Sequence, residues 1–395
     1  MTRPERARSQ KSQWHWMLRV IAGAIALLAA TGAGKPAADQ LSPPDLVFLA
    51  SRDSSDLRII DTRTDTVIKA VRTGRMPHMT IVGRSPLTYT TGTGSNDLTI
   101  LDASTLEVVG RIPLPGKGPE HGTISPDGRW LFVANVTGGS VAVVDLETRQ
   151  PAKLLKGLAR PHNIAFSADG TKAFIAQAAS AELVVVDVAR LAVAKRIRLA
   201  RLPGRALDEG QGVNNAVPLH GTPLLAATVT AANALVLLDT ARDAVVATIR
   251  VGQEPWEPYD TPDGRYVLTP NNGDKTISIV DVAKRALVAS LPGGADMTGI
   301  VFSADSRKAY VVSRGDGTIL VLDLDRLAVA RVLPVGSTPE VATRTADGKK
   351  VYVASSGNGE VAVIDTQRDE VVATVKNVGK FPWALSTIGG YNYCH

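Results

Sequence analysis

Cysteine is nearly absent from this chain: Cys394 is the only one in 395 residues. An intrachain disulfide is excluded, and so is a c-type haem attachment, which needs two cysteines ahead of its histidine. Aromatic residues are also scarce, at 5% against 44% hydrophobic residues and 35 glycines, a composition that suits a soluble, turn-rich β protein. The body has almost no net charge. Arg3, Arg6, Arg8, Lys11, Arg19 and Lys35, set against Glu5, supply five of the six net positive charges, leaving residues 36–395 near +1. That argues against nucleic-acid binding, which needs a clustered basic footprint. No GxSxG elbow, P-loop or dinucleotide-binding glycine motif is present.

What the first 38 residues do contain is a basic start, an apolar run over residues 20–30 and then small residues. This reads as a signal peptide with cleavage after Ala33 or Ala38. At about eleven residues the run is short for a bilayer span of roughly twenty; an uncleaved anchor over residues 17–33 is the alternative. The expected location is the periplasm or the exterior, with membrane contact only through this segment. Residues 39–45 read as a linker.

The strongest positive signal is a repeat. Asp61, Asp102, Asp145, Asp187, Asp239, Asp281, Asp323 and Asp365 each end a short apolar run, at intervals of 41, 43, 42, 52, 42, 42 and 42 residues. A period of 40–45 residues built from β-type segments is that of a propeller with one blade per repeat. Each unit runs like residues 130–157: WLFVANV, a Thr-Gly-Gly turn, SVAVVDL, a polar turn, PAKLLKG. Eight such sets follow one another over residues 46–376. Inner strands also number eight, beginning near His78, His121, His162, His220, Trp256, Thr298, Glu340 and Trp383. The first set lacks a preceding inner strand and the last inner strand, residues 381–388, lacks an outer set. Pairing the leftovers closes the ring and removes its open edges. The expectation is an all-β, eight-bladed propeller over residues 46–390, with seven blades as the rival count. The long interval places an insertion at residues 201–217, on the face where inner strands start. The eight aspartates are expected to be structural, accepting hydrogen bonds from turn amides.

Segments such as VTGGSVAVVDLETRQPAKLLKG and GNGEVAVIDTQRDEVVATVKNVG resemble the YVTN-type propeller repeats of bacterial exported proteins, over nearly everything after residue 45. More locally, the eight blades and GQGVNNAVPLHGTP resemble the haem d1 propeller of cytochrome cd1 nitrite reductase and its maturation proteins. That likeness implies a tetrapyrrole-binding accessory protein. It does not imply a reductase, because the chain has no CxxCH motif.

Four histidines, His78, His121, His162 and His220, stand near the starts of consecutive inner strands. Such starts share one rim of the central channel. Clustered neutral imidazoles suit copper or zinc, and histidine is a usual axial ligand of haem. These four are the candidate metal ligands. Counting back seven residues from the turn aspartates Asp169, Asp263, Asp305 and Asp347 gives His162, Trp256, Thr298 and Glu340. From Asp127 the same count gives Glu120, so His121 points away from the channel unless a bulge intervenes. The candidate cofactor-binding set is thus His78, Glu120, His121, His162, His220, Trp256 and Trp383, with Glu257 and Glu340 as further rim carboxylates. The tail, residues 391–395, adds Cys394 and His395, a thiolate and an imidazole able to bind a soft metal. Three functional classes fit: a binding or accessory protein for a metal or tetrapyrrole, a propeller enzyme (copper-dependent oxidoreductase or lactonase-like hydrolase), and a scaffold for a periplasmic protein partner.

Overall fold

The computed structural model describes residues 42–83, 85–202 and 206–390. The segment read as a signal peptide, the first residues read as a linker and the tail with Cys394 and His395 lie outside the described residues. Within them the chain forms eight four-stranded antiparallel sheets. A representative blade runs outward from Pro119–Ile124 through Trp130–Asn135 and Ser140–Asp145 to Gln150–Lys156. The two middle strands are buried along nearly their whole length, whereas the outermost alternates toward solvent. This is the pattern of sheets stacked face to face, in which the middle strands must be apolar on both sides. The cores accordingly lie between blades: Phe132, Val141 and Val143 pack with Phe166, Ile175 and Val184 of the next sheet.

Eight is the blade number, and the ring closes as the unpaired segments require. The first sheet consists of Thr66–Arg72, Asp56–Asp61, Leu46–Ser51 and, as its innermost member, the C-terminal Pro382–Thr387. Leu49 pairs with Leu385 and Val47 with Thr387. The eight repeat aspartates do hold turns: backbone N–H groups two or three residues on donate to each, as Arg63 does to Asp61, Ser104 to Asp102 and Gln367 to Asp365.

One expectation about the inner strands is corrected. The fourth is Ala216–Pro218, so it precedes His220 instead of starting there. Leu219 N–H bonds Leu224 O and Thr222 N–H bonds Leu219 O, as Ser167 bonds Lys172 O and Gly170 bonds Ser167 O one blade earlier. His220 therefore sits in the tight turn that leaves the inner strand. The insertion falls between Arg198, the end of the preceding outer strand, and Ala216.

Candidate functional site at the channel mouth

Seven of the eight inner strands, all but Ala216–Pro218, are entered through the same device. Met76, Gly118, Arg160, Glu254, Asp296, Thr338 and Phe381 all have φ between 50° and 68°. The carbonyl of each accepts the N–H of the residue that follows the next strand, as from Thr93 to Met76 and Ala178 to Arg160. Six of these seven are not glycine, so left-handed backbone is held at the mouth against its usual cost. A proline often follows, and then the register slips. Pro77 pairs with Gly92 but Thr80 with Thr90; Pro119 pairs with Asn135 but Gly122 with Val133. Two inner-strand residues thus oppose one partner, which is a β-bulge, a device that re-aims side chains.

The bulge decides the fate of His121. Backbone pairing makes Glu120 the equivalent of His78 and His162, with His121 one place later. In a regular strand His121 faces away; the bulge turns it back among the others. The His78 and His121 ring centroids are 5.0 Å apart, His121 and His162 4.1 Å, and His78 and Trp383 5.6 Å. The ligating atoms of His78, Glu120 and His121 all lie within 4.8 Å of one another. Both of these histidines are buried, and Glu120 is partly so.

The other ring positions follow by the same pairing: Asn214, Trp256, Thr298, Glu340 and Trp383. Glu340 is neutralised within the fold by Arg314 Nη1 at 3.2 Å, and Ser356 Oγ donates to its other oxygen. Arg52 lies over Trp383, 5.5 Å from the ring. Glu257, one residue past Trp256, occupies the bulge position matching His121 and is 0% exposed. Its Oε2 accepts Asn215 Nδ2 at 2.9 Å and the Tyr259 hydroxyl at 3.1 Å. Its Oε1 lies 3.8 Å from His162 Nδ1. Neither of those two atoms, nor buried Trp256 Nε1, has a hydrogen-bond partner among the described residues.

Burial dominates the electrostatics. It depresses the His162 imidazole to about 4, against a hydrogen bond to the Asn214 backbone, while the Arg160 charge pushes the same way. Burial likewise lifts Glu257 to about 7. Glu120 also rises to about 7, chiefly by burial and then by the Glu209 charge, with Arg52 and Arg160 opposing. The mouth thus holds the His162 imidazole in its neutral form beside carboxyls that lack enough positive charge to ionise fully.

His78, Glu120, His121, His162, Trp256 and Trp383 therefore gather at one end of the channel. His220 does not join them. It lies at the opposite end, its Nδ1 2.6 Å from Asp260 Oδ2. The insertion instead supplies Asn214 and Asn215 to the mouth, together with Glu209, which pairs with Arg160. These residues and Arg52 carried no periodic signal. The displaced histidine did leave one: Leu219 lies 20 residues before Asp239, as Ser125 does before Asp145 and Ser167 before Asp187, which marks residues 219–222 as the turn.

Among solved structures, the dihydro-haem d1 dehydrogenase NirN in complex with DHE superposes with a TM-score of 0.72 at 19% identity, over 88% of this chain and 76% of that one. Apo AztD from Citrobacter koseri gives 0.64 at 14%, over 88% and 98%. Hydrazine synthase of Kuenenia stuttgartiensis gives 0.56 at 23%, over 73% and 95%. At these identities the likeness is one of fold. No curated protein matches the chain by sequence. Residues 90–391 match the family model described as YNCE-like beta-propeller, and the chain belongs to that family.

Proposed function

We propose that this protein is an exported propeller that binds a transition-metal ion, zinc or copper(II), at the channel mouth and acts as a binding or accessory protein. The observation that carries the reading is the convergence of His78, Glu120 and His121, whose ligating atoms lie within 4.8 Å of one another. Imidazole nitrogen with one carboxylate oxygen is a donor set suited to zinc or copper. The neighbouring His162 Nδ1 and Glu257 Oε1, 3.8 Å apart, are buried donor atoms that a cation between them would satisfy. Neutral His162 needs no deprotonation to ligate.

A second reading is favoured by Trp383, whose face lies beside His78 and under Arg52, and by the similarity of fold to NirN, solved in complex with DHE. In that reading the mouth takes a tetrapyrrole, with a histidine as axial ligand and arginines for its carboxylates.

The test is a titration of the chelator-treated protein with Co(II), followed by absorbance and elemental analysis. The metal reading expects a stoichiometric ion with a d–d band, lost in His78→Ala/His121→Ala. An unchanged titration in that variant overturns it. A Soret-region band on adding a free tetrapyrrole, lost in Trp383→Ala and with no Co(II) uptake, selects the second reading. Localisation is tested by fractionation, which should place the protein in the periplasm.

A further inference from the structure

The mouth cluster is buried, so an ion needs a way to reach it. A cavity of about 580 Å³ is lined by His121, Asn163 and Asn215 at one end and by Tyr259, Asp260 and His220 at the other. His220 is where this space meets solvent, its side chain being 57% exposed. Asp260, only 2% exposed, accepts both the His220 backbone N–H at 2.9 Å and the Nδ1–H at 2.6 Å. A carboxylate fixing one ring nitrogen leaves the other, Nε2, oriented as a ligand; metal-bound histidines are commonly held this way. Among the described residues lining the cavity there is no lysine or arginine, and Asp260 biases it toward cations. His220 lies six residues beyond the mouth position in its own inner strand. At about 3.3 Å per residue that places it roughly 15–20 Å from the mouth ring, too far to share an ion.

We infer that His220, oriented by Asp260, is a second and weaker position for a divalent cation, through which the ion enters the channel toward His121. The inference rests on the metal reading of the mouth. His220 captures the ion at the open end; Asn163 and Asn215 line the way, their amide oxygens both held by the Ala216 N–H; the His78–Glu120–His121 cluster retains it. The transfer is a ligand exchange with no change in oxidation state.

The test is Co(II) loading of the full chain by stopped-flow absorbance, with equilibrium titration beside it, in the wild type and in His220→Ala and His220→Gln. Both variants replace an exposed turn residue, and near-UV circular dichroism checks that they fold. The expected wild-type result is one tight and one weak equivalent. Both variants should lose the weak equivalent and fill the tight site at least tenfold more slowly, with its Kd unchanged. Wild-type stoichiometry and rate in both overturn the inference while leaving the mouth cluster standing. A tight equivalent that survives His78→Ala/His121→Ala overturns the mouth reading, and this inference with it.

Discussion

Ring closure by Pro382–Thr387 can be tested quantitatively. Leu385 is 0% exposed and packs with Val47, Leu49, Tyr352, Val361 and Val363, joining the first blade to the last. Leu385→Ala removes a fully buried side chain at a site the flanking sheets cannot easily refill, a cost of about 3 kcal/mol. The entropy of unfolding is about 2.1 cal/mol/K per residue, or about 0.7 kcal/mol/K for a ring of this size, so Tm should fall by about 4 °C. Ending the chain after Asn377 is far more severe. It removes all five residue pairs between Leu46–Ser51 and the clasp strand. It also removes the burial of Ala384 and Leu385 and opens an apolar edge. At about 1 kcal/mol per hydrogen bond plus the lost burial, the sum approaches 10 kcal/mol, the size of a domain's whole net stability. Scanning calorimetry should therefore find a modest shift for Leu385→Ala and no cooperative transition for the truncated chain. The control is Val332→Ala on an outer strand, 55% exposed, which should change little. A truncated chain that melts like the wild type refutes the clasp.

Other expectations follow from side chains between blades and at the mouth. Asp65 binds Lys350 Nζ and the Tyr352 hydroxyl of the last blade, and Asp369 binds Lys308 Nζ and Tyr310 in the same way. Asp65→Ala and Asp369→Ala should each cost about 1–3 kcal/mol in denaturant titrations, because each strands a partly buried lysine and a tyrosine hydroxyl. In metal-free protein, Glu257 and His162 should give opposite pH slopes. The raised Glu257 makes the folded state the stronger proton binder, so its contribution falls by about 3 kcal/mol between pH 4.5 and 7. The depressed His162 does the reverse, adding a similar amount between about pH 4 and 6.5. Glu120, also raised to about 7, adds a second contribution that falls with pH. The wild type should therefore lose stability across that window, and Glu257→Gln should flatten the profile as His162 and Glu120 offset each other; an unchanged slope in the variant refutes the assignment. Asp145→Ala, by contrast, removes two turn hydrogen bonds and should cost about 1 kcal/mol with no effect on metal binding.

The blade count, the clasp and the turn aspartates were all legible because they repeat: a period of 42 residues is imposed by stacking identical sheets, and each copy reinforces the reading. The site was legible only where it shares that period. Glu120 and His162 occupy equivalent places and could be found by counting; His78, with Ser85 where the turn aspartate would stand, was legible only from its place at a strand start. His121 could not, since alternation along a strand predicts the wrong face and only the backbone slip between Pro119 and Gly122 restores it. His220 was misplaced for a related reason. Its turn replaces the usual Ser-Ala-Asp-Gly pattern with Leu-His-Gly-Thr, and the insertion displaces the sequence landmark just ahead of the strand. Arg160 and Glu209 meet through tertiary structure that no local pattern encodes.

The ring itself contains a comparison that bears on the ligand. Two equivalent positions carry glutamate, and the fold treats them differently. Glu340 is given a cation of its own, since Arg314 reaches it at 3.2 Å while also binding Asp296. Glu120 lies instead among His78 and His121, with Arg52 and Arg160 acting on it only at longer range, and its carboxyl is lifted to about 7. A buried carboxyl left in that state costs stability that an arriving cation would return by drawing its proton off. Metal binding and ring stability should then be linked, a hundredfold excess over Kd adding about 2.7 kcal/mol. That linkage separates a metal ion from an uncharged occupant of the same mouth. With an ion, the gain in melting temperature should grow with pH through the range where Glu120 titrates. With a neutral ligand it should not.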